Sequence, residues 1–99
     1  MNNESKLELI NRRQRQILVH SFLYYQLNTN IISDHTFDRW SKELYNLMKD
    51  YPEIAKKSVY YQGFLEFDGS SGFDLPYTDP DIQNVGYRLL NYQKQEGAI

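Results

Sequence analysis

The 99-residue sequence contains no cysteine and no long apolar run. The lack of cysteine excludes a disulfide framework and a thiolate metal site. No apolar run approaches the roughly 18 residues that span a bilayer, and the first residues lack the basic-then-apolar order of a signal peptide. These absences favour a soluble cytoplasmic protein with no membrane partner, and the abundant Asn, Ile, Lys and Tyr suit a low-GC bacterial host or its phage.

Basic residues are also absent from one long stretch. From Ser58 to Tyr87 there are five acidic residues and no basic one, within a chain of net charge −2. The same stretch is rich in tyrosine and phenylalanine. A surface of this kind repels nucleic acid and attracts basic partners.

Two helical patterns occupy the first half of the chain. The first runs from Glu4 to Leu27 with Asn3 or Ser5 as its cap. The second runs from about Asp34 to Lys49 or Asp50, and Ser33 and Asp34 are the residues that favour its N-cap. The polar break Asn28–Ser33 between them predicts the corner of a helical hairpin. The expected inner face of the first helix comprises Leu7, Ile10, Gln14, Ile17, Leu18, Ser21, Tyr24 and Tyr25, and that of the second comprises Phe37, Trp40, Leu44, Leu47, Met48 and Tyr51.

In the second half of the chain the spacing of the apolar residues changes from a helical period to alternation. Apolar residues alternate from Val59 to Tyr77 around a glycine-rich turn, which favours a small β-hairpin or an ordered aromatic loop. Asp79-Pro80-Asp81 is a helix start, and Gly97 is the expected stop. Gly86 inside that helix indicates a close approach of another backbone. We predict a mainly α fold in one domain: a helical hairpin (1–54), the acidic aromatic segment (58–78) and a C-terminal helix (79–96).

The hairpin corner gathers polar and aromatic groups. Asp34 and Asp38 lie on one face at the start of the second helix, and Tyr24 and Tyr25 end the first helix nearby. Such a corner suits a flat ring that carries hydroxyls and an amide. The alternative is that Asp34 caps the helix, that Asp38 is a solvated acid favoured by the helix dipole, and that the tyrosines belong to the core.

A multi-position motif surrounds the same corner. It comprises Tyr24-Tyr25, Ile32-Ser33-Asp34, Phe37-Asp38-Arg39, Glu43-Leu44 and Tyr51-Pro52-Glu53-Ile54. Over residues 17–54 the chain resembles the N-terminal, nicotinamide-mononucleotide-binding helical domain of NAD-dependent DNA ligases. The resemblance implies that Tyr24, Tyr25, Asp34, Phe37 and Asp38 contact the nicotinamide half of NAD. Phe37 stands where the family has tyrosine and lacks its hydroxyl, and Trp40 replaces a leucine.

Nothing in the sequence indicates catalysis. Lys56, Lys57 and Lys94 lack the KxDG context of an adenylyltransferase, so the chain is not expected to act as an enzyme or to require a cofactor. His20 and His35 have no partners at metal-ligand spacing, and we predict no metal site. Arg12, Arg13 and Arg15 either contact phosphate or form a solvated helix face paired with Glu4 and Glu8, and the second interpretation is favoured.

The sequence therefore supports two main hypotheses. The favoured one is a non-catalytic accessory protein of a phage or mobile element that binds a basic host or phage protein, and inhibits a host nucleic-acid or defence enzyme. Its binding surface would comprise Tyr60, Tyr61, Phe64, Glu66, Asp68, Asp74 and Tyr77. The alternative is binding or sequestration of NAD or nicotinamide mononucleotide at the hairpin corner. Direct nucleic-acid binding through the arginines is disfavoured by the acidic pI of about 5.6.

Overall fold

The chain folds into a helical assembly whose longest element is its first helix. The computed structural model describes residues 2–70, 72 and 74–95. The helices are α1 (Asn3–Leu27), α2 (Asp34–Asp50), α3 (Pro52–Ala55) and α4 (Pro80–Gln95), and a short 3-10 helix spans Tyr61–Phe64. The predicted mainly α fold, with a helical hairpin followed by a C-terminal helix, is confirmed.

Local capping sets both ends of α1. Its N-cap is Asn2, one residue before the predicted candidates, and the Asn2 Oδ1 accepts a hydrogen bond from the Ser5 N–H at 2.8 Å. The helix stops at Asn28, which has a φ of 51° and donates its N–H to the Leu23 carbonyl. Asparagine tolerates this left-handed conformation better than most residues, so the Asn-Thr-Asn break ends the helix as predicted.

The hairpin is completed by the cap and the stop of α2. The Ser33 Oγ accepts a hydrogen bond from the Thr36 N–H at 3.1 Å, as the sequence predicts. At its other end α2 stops at Asp50, before Pro52 opens α3. A proline at the first position of a helix sacrifices no hydrogen bond, because that N–H has no partner within the helix. The six residues Asn28–Ser33 therefore form the whole corner, and α2 packs back along α1.

The core surrounds α1, which packs against α2, α3 and α4. Its buried residues are Ile10, Gln14, Ile17, Leu18, Val19, Ser21, Phe22 and Leu23. This set is wider than the single predicted stripe because α1 has neighbours on more than one side. Tyr24 and Tyr51, which were expected on the inner faces, are 48% and 36% exposed.

The predicted β-hairpin is wrong, since no strand occurs in residues 58–70, 72 or 74–78. The N–H groups that a strand would pair bond instead to α1: the Val59 N–H donates to the Asn11 Oδ1 at 2.9 Å and the Tyr60 N–H to the Gln14 Oε1 at 3.3 Å. The apolar residues Phe64, Leu75 and Tyr77 join the core. Phe73, which belongs to the alternating stretch Val59–Tyr77, lies outside the described residues.

α4 begins where the sequence predicts. The Asp79 Oδ1 accepts hydrogen bonds from the Asp81 N–H at 2.9 Å and the Ile82 N–H at 3.3 Å. The expected stop at Gly97 lies outside the described part of the chain. Gly86 does mark a close approach, but the neighbour is an aromatic side chain and not a backbone: a Cβ at Gly86 would lie 2.7 Å from the Phe22 Cδ2.

Replacing Gly86 by alanine is expected to lower the free energy of unfolding by about 1–2 kcal/mol, because overpacking of a filled core outweighs the gain in helix propensity. The Phe22 ring has little room to move, since it is 2% exposed and packs edge-on against Tyr87. Urea denaturation followed by circular dichroism measures the change. Asn91→Ala, at an exposed position of the same helix, is the control and should be neutral or slightly stabilising. If Gly86→Ala is as stable as the control, the Phe22 ring shifts to make room for the new Cβ without loss of free energy, and the prediction is wrong.

Candidate functional site

A pocket of about 420 Å³ opens at the α1–α2 corner. Three parts of the hairpin line it: the last two turns of α1, the corner itself and the start of α2. Its lining residues are His20, Ser21, Tyr24, Tyr25, Thr29, Asn30, Ile31, Ile32, Ser33, Asp34, Phe37, Asp38 and Ser70. The volume lies within the range of about 300–1,000 Å³ that is usual for small-molecule sites.

All five residues predicted from the sequence to bind a nucleotide line this pocket. They are Tyr24, Tyr25, Asp34, Phe37 and Asp38. The helix periodicity explains part of this, because residues four apart share a face of α2. The corner reverses the direction of the chain, so the end of α1 faces the start of α2. This reversal brings Tyr24 and Tyr25 to the same pocket as the residues of α2.

Aromatic rings form one side of the pocket. The Tyr24 and Tyr25 rings meet edge-on with centroids 4.9 Å apart, and Tyr25 stacks on Tyr77 at 5.7 Å. Tyr77 is a core residue. Stacking on this core residue holds the Tyr25 ring in place. Tyr24 lines the same pocket and is 48% exposed, so its ring is accessible to a ligand.

The two carboxylates differ in their surroundings. Asp34 is the first residue of α2 and is exposed. The Asp38 Oδ2 accepts from the Lys42 Nζ at 2.9 Å, an i,i+4 pair on the surface of the helix. Such exposed pairs contribute about 0.3–0.5 kcal/mol, so Asp38 is not locked in place. Both carboxylates can accept hydrogen bonds from a ligand.

His20 lies at the inner wall of the pocket. Its ring centroid is 5.8 Å from that of Trp40, in a tilted arrangement. Burial lowers the pKa of His20 to about 4, because the charged form loses its hydration. The imidazole is therefore neutral near pH 7. His20 was not among the residues predicted from the sequence to form the site.

Ser21 and Ser70 also line the pocket and were not among the predicted site residues. The Ser21 Oγ is buried and has no hydrogen-bond partner among the described residues, and a Cβ placed on Gly72 would overlap it. A Cβ placed on Gly69 would lie 3.2 Å from the Tyr45 Cβ and 3.4 Å from the Ser41 carbonyl oxygen on α2, and Gly69 has a φ of 86°. Gly69 and Gly72 each approach a helix closely, and Ser70, next to Gly69, lines the pocket. Nothing local in the sequence indicates contact between residues this far apart.

The predicted protein-binding surface is only partly exposed. Glu66, Asp68 and Asp74 are exposed, and Tyr60 and Tyr61 are half-buried. Phe64 and Tyr77 are 2% and 8% exposed. These two aromatic side chains pack into the core and cannot anchor a partner at the surface, which corrects the predicted set.

The arginines of α1 engage neighbouring side chains. The Arg13 Nε donates to the Glu43 Oε1 at 3.2 Å, and its guanidinium lies 5.6 Å from the centre of the Trp40 ring. The Arg12 Nη2 lies 3.6 Å from the Glu8 Oε1. The predicted pairing with an acid of the same helix is therefore present for Arg12. Arg13 pairs instead with Glu43 on α2.

The described residues also bear on metal binding and on membrane insertion. No group of three or more His, Asp or Glu side chains within them is arranged to hold a metal ion. Among the same residues, no helix has both the length and the apolar character needed to cross a membrane.

Comparison with known proteins concerns the same part of the chain. The family model described as the DNA ligase-like, N-terminal NAD+-binding domain matches residues 3–58. A DNA ligase of Thermotoga maritima is 35% identical over 49 residues, and one of Pseudothermotoga lettingae is 42% identical over 46 residues. These matches cover 50% and 46% of this chain, and 7% of each ligase. No solved structure matches the chain significantly.

Proposed function

Because the chain belongs to the family of the DNA ligase-like, N-terminal NAD+-binding domain, we propose that it binds NAD+ or nicotinamide mononucleotide in the pocket at the α1–α2 corner. The single observation that carries the proposal is that Tyr24, Tyr25, Asp34, Phe37 and Asp38 all line one pocket. The matched segment contains every lining residue except Ser70.

The chemistry of the pocket supports this ligand. The faces of Tyr24 and Phe37 offer flat apolar contact to a pyridinium ring, and a cation over such a face is favoured. The carboxylates of Asp34 and Asp38 are acceptors suited to the ribose hydroxyls. Phe37 contributes packing only, because it has no hydroxyl.

In the proposed role this chain binds the nucleotide and does not itself catalyse a reaction. The family match concerns a nucleotide-binding domain, and the chain covers 7% of the length of the matching ligases. A domain of this kind would act by sequestering the nucleotide, or by presenting it to a separate domain or protein that carries out the chemistry. The pocket thus favours the nucleotide hypothesis, which the sequence analysis ranked second.

Isothermal titration of the chain with nicotinamide mononucleotide is expected to give saturable binding. Asp34→Asn should raise the dissociation constant at least about tenfold, because hydrogen bonds to a charged group contribute about 1.5–3 kcal/mol. The cap of α2 is unaffected by this change, since Ser33 provides it.

The matched control is Asp50→Asn, which removes an exposed carboxylate at the opposite end of the same helix. Its dissociation constant should equal that of the unmodified chain. No saturable heat at millimolar nucleotide, or equal weakening by the two variants, would count against the pocket as the binding site.

A second candidate function is binding of a basic protein surface. The specific observation is that Glu66, Asp68 and Asp74 line one surface depression of about 440 Å³ that has no basic lining residue. An accessory or inhibitory role, as proposed from the sequence for a phage-encoded protein, would use this face. The depression shares Ser70 with the corner pocket but none of the five predicted nucleotide contacts, so mutation of those five residues or of the three acids separates the two functions.

A further inference from the structure

A second concave surface lies where α2 and α3 meet the short 3-10 helix. Its apolar part is a depression of about 220 Å³, whose walls include Tyr45, Met48, Tyr61, Leu65 and Phe67. Leu65 is 57% exposed and Tyr45 is 37% exposed, so both side chains present apolar surface to solvent. The depression is smaller than the usual small-molecule site of about 300–1,000 Å³, which favours a single side chain of a protein partner as its occupant.

The walls of this apolar depression have the composition of a protein interface. Tyrosine, phenylalanine and methionine are enriched at the centres of such interfaces. The Phe67 ring meets the ring of buried Phe64 edge-on, with centroids 5.1 Å apart, so the core supports this wall. Met48 is unbranched and flexible, and such a side chain adapts to the shape of a partner. A supported aromatic wall beside an adaptable one suits an inserted apolar anchor.

The acidic depression, lined by Glu66, Asp68 and Asp74, adjoins the apolar one. Leu65 and Phe67 line both depressions, so the two form one continuous groove. The three acids are exposed, and none of them forms an ion pair within the described residues. Their negative charge is therefore available to a cationic partner.

The charge of the groove differs between its two ends. At one end the Asp68 Oδ1 accepts hydrogen bonds from the Ser70 Oγ and from the Ser70 N–H at 2.9 Å. These bonds hold the carboxylate in place and lower the pKa of Asp68. At the other end Lys49 lines the apolar depression and not the acidic one. The cations of a partner are therefore attracted to the acidic end only.

The matched family segment does not account for this groove. The match ends at residue 58, whereas Tyr61, Leu65, Phe67 and the three acids follow it in the chain. None of the five predicted nucleotide contacts lines either depression. The groove is thus a surface separate from those contacts.

We propose that this groove binds a basic segment of another protein, with one large apolar side chain in the apolar depression and lysines or arginines beside Glu66, Asp68 and Asp74. The apolar anchor supplies affinity as it leaves water. The carboxylates select for partners with cations next to the anchor. This inference rests on the second candidate function proposed above and specifies the chemistry of its partner.

A matched pair of synthetic peptides tests the inference on the full chain. The probe is acetyl-Lys-Lys-Gly-Phe-Gly-Lys-Lys-amide, whose lysines on both sides of the anchor suit either chain direction, and its control has Ala in place of Phe. Titration followed by the amide chemical shifts of the isotope-labelled chain should give saturable changes at Tyr45, Leu65 and Phe67. The control peptide should bind at least about tenfold more weakly, because it keeps the charge and lacks the anchor.

Two variants of the chain, each with a matched control, locate the contact. Leu65→Ala should weaken probe binding at least about fivefold. Val59→Ala should leave it unchanged, because Val59 is exposed and lines neither depression. Glu66→Gln should weaken binding about twofold, as expected for one exposed charge pair. Glu4→Gln, at an exposed acid of α1, should have no effect. Circular dichroism verifies that each variant is folded.

The outcomes distinguish this inference from its premise. Equal binding of the two peptides, or equal effects of Leu65→Ala and Val59→Ala, overturns the inference and leaves the second candidate function standing, because charge alone then accounts for binding. Equal effects of Glu66→Gln and Glu4→Gln overturn the placement of the cations and the inference with it. No saturable binding of either peptide overturns both the inference and its premise.

Two further measurements complete the test. Sedimentation of the unmodified chain and of Leu65→Ala tests a different occupant: if the chain self-associates and this variant does not, the groove binds a second copy and the inference is overturned. Leu65→Ala should bind nicotinamide mononucleotide as the unmodified chain does, since Leu65 does not line the corner pocket. A weakened affinity for the nucleotide would show that the groove is not separate from the nucleotide contacts, and would also overturn the inference.

Discussion

Replacing Gln14 by alanine is expected to lower the free energy of unfolding by about 2–3 kcal/mol, through a cavity and the loss of two hydrogen bonds, one buried and one partly buried. Gln14 is fully buried in α1. Its Nε2 donates to the Ser58 Oγ at 2.9 Å, and its Oε1 accepts from the Tyr60 N–H at 3.3 Å. This one amide thus attaches the segment after α3 to the central helix, and truncating it leaves the Tyr60 N–H without its acceptor.

Urea denaturation followed by the fluorescence of Trp40, the single tryptophan, measures the loss. Gln26→Ala is the matched control, because Gln26 is an exposed glutamine of the same helix. A surface change of this kind is expected to stay within about 0.5 kcal/mol of the unmodified chain. Equal effects at the two positions would mean that the buried amide contributes nothing to stability.

Acidification from pH 6.5 to pH 4 is expected to remove about 3 kcal/mol of stability through His20 alone. Burial lowers the pKa of His20 in the folded chain to about 4, whereas the unfolded chain has the ordinary value of 6.5. Between these two values the unfolded state binds more protons than the folded state. The contribution of His20 is therefore complete above pH 6.5 and is lost progressively as the pH falls toward 4.

The carboxylates of the chain also titrate in this range, so the measurement must isolate His20. His20→Asn removes the titrating group, and the difference between its pH–stability curve and that of the unmodified chain reports His20. His35→Asn serves as the control, because His35 is exposed at the start of α2. Curves for the unmodified chain and His20→Asn that run parallel from pH 6.5 to 4 would contradict the predicted shift.

Much of the fold was predictable because its signals are local. Caps and stops act over three or four residues, and Ser33 and Asp79 accept the hydrogen bonds that the sequence predicts for them. The 3.6-residue period likewise located α2 and its buried Leu44. The corner Asn28–Ser33 follows from the two helix ends that flank it.

The segment after Ser58 was not predictable in the same way. Alternation of apolar residues fits a strand when neighbouring strands supply partners for its N–H groups. Here Asn11 and Gln14, more than forty residues earlier, accept the hydrogen bonds of Val59 and Tyr60. A pattern within the segment contains no information about such distant acceptors, so the predicted β-hairpin is wrong.

The sequence by itself determined α1, α2, α4, the corner between the first two helices and the convergence of five polar and aromatic residues on that corner, since all of these follow from spacing and capping within short stretches of chain. Only the tertiary structure decided the depth and charge of the pocket. Gly69 and Gly72 approach Ser41 and Ser21 closely, Ser70 joins the lining, and burial keeps His20 neutral. Contacts between distant segments depend on packing volume and desolvation, which no local pattern records.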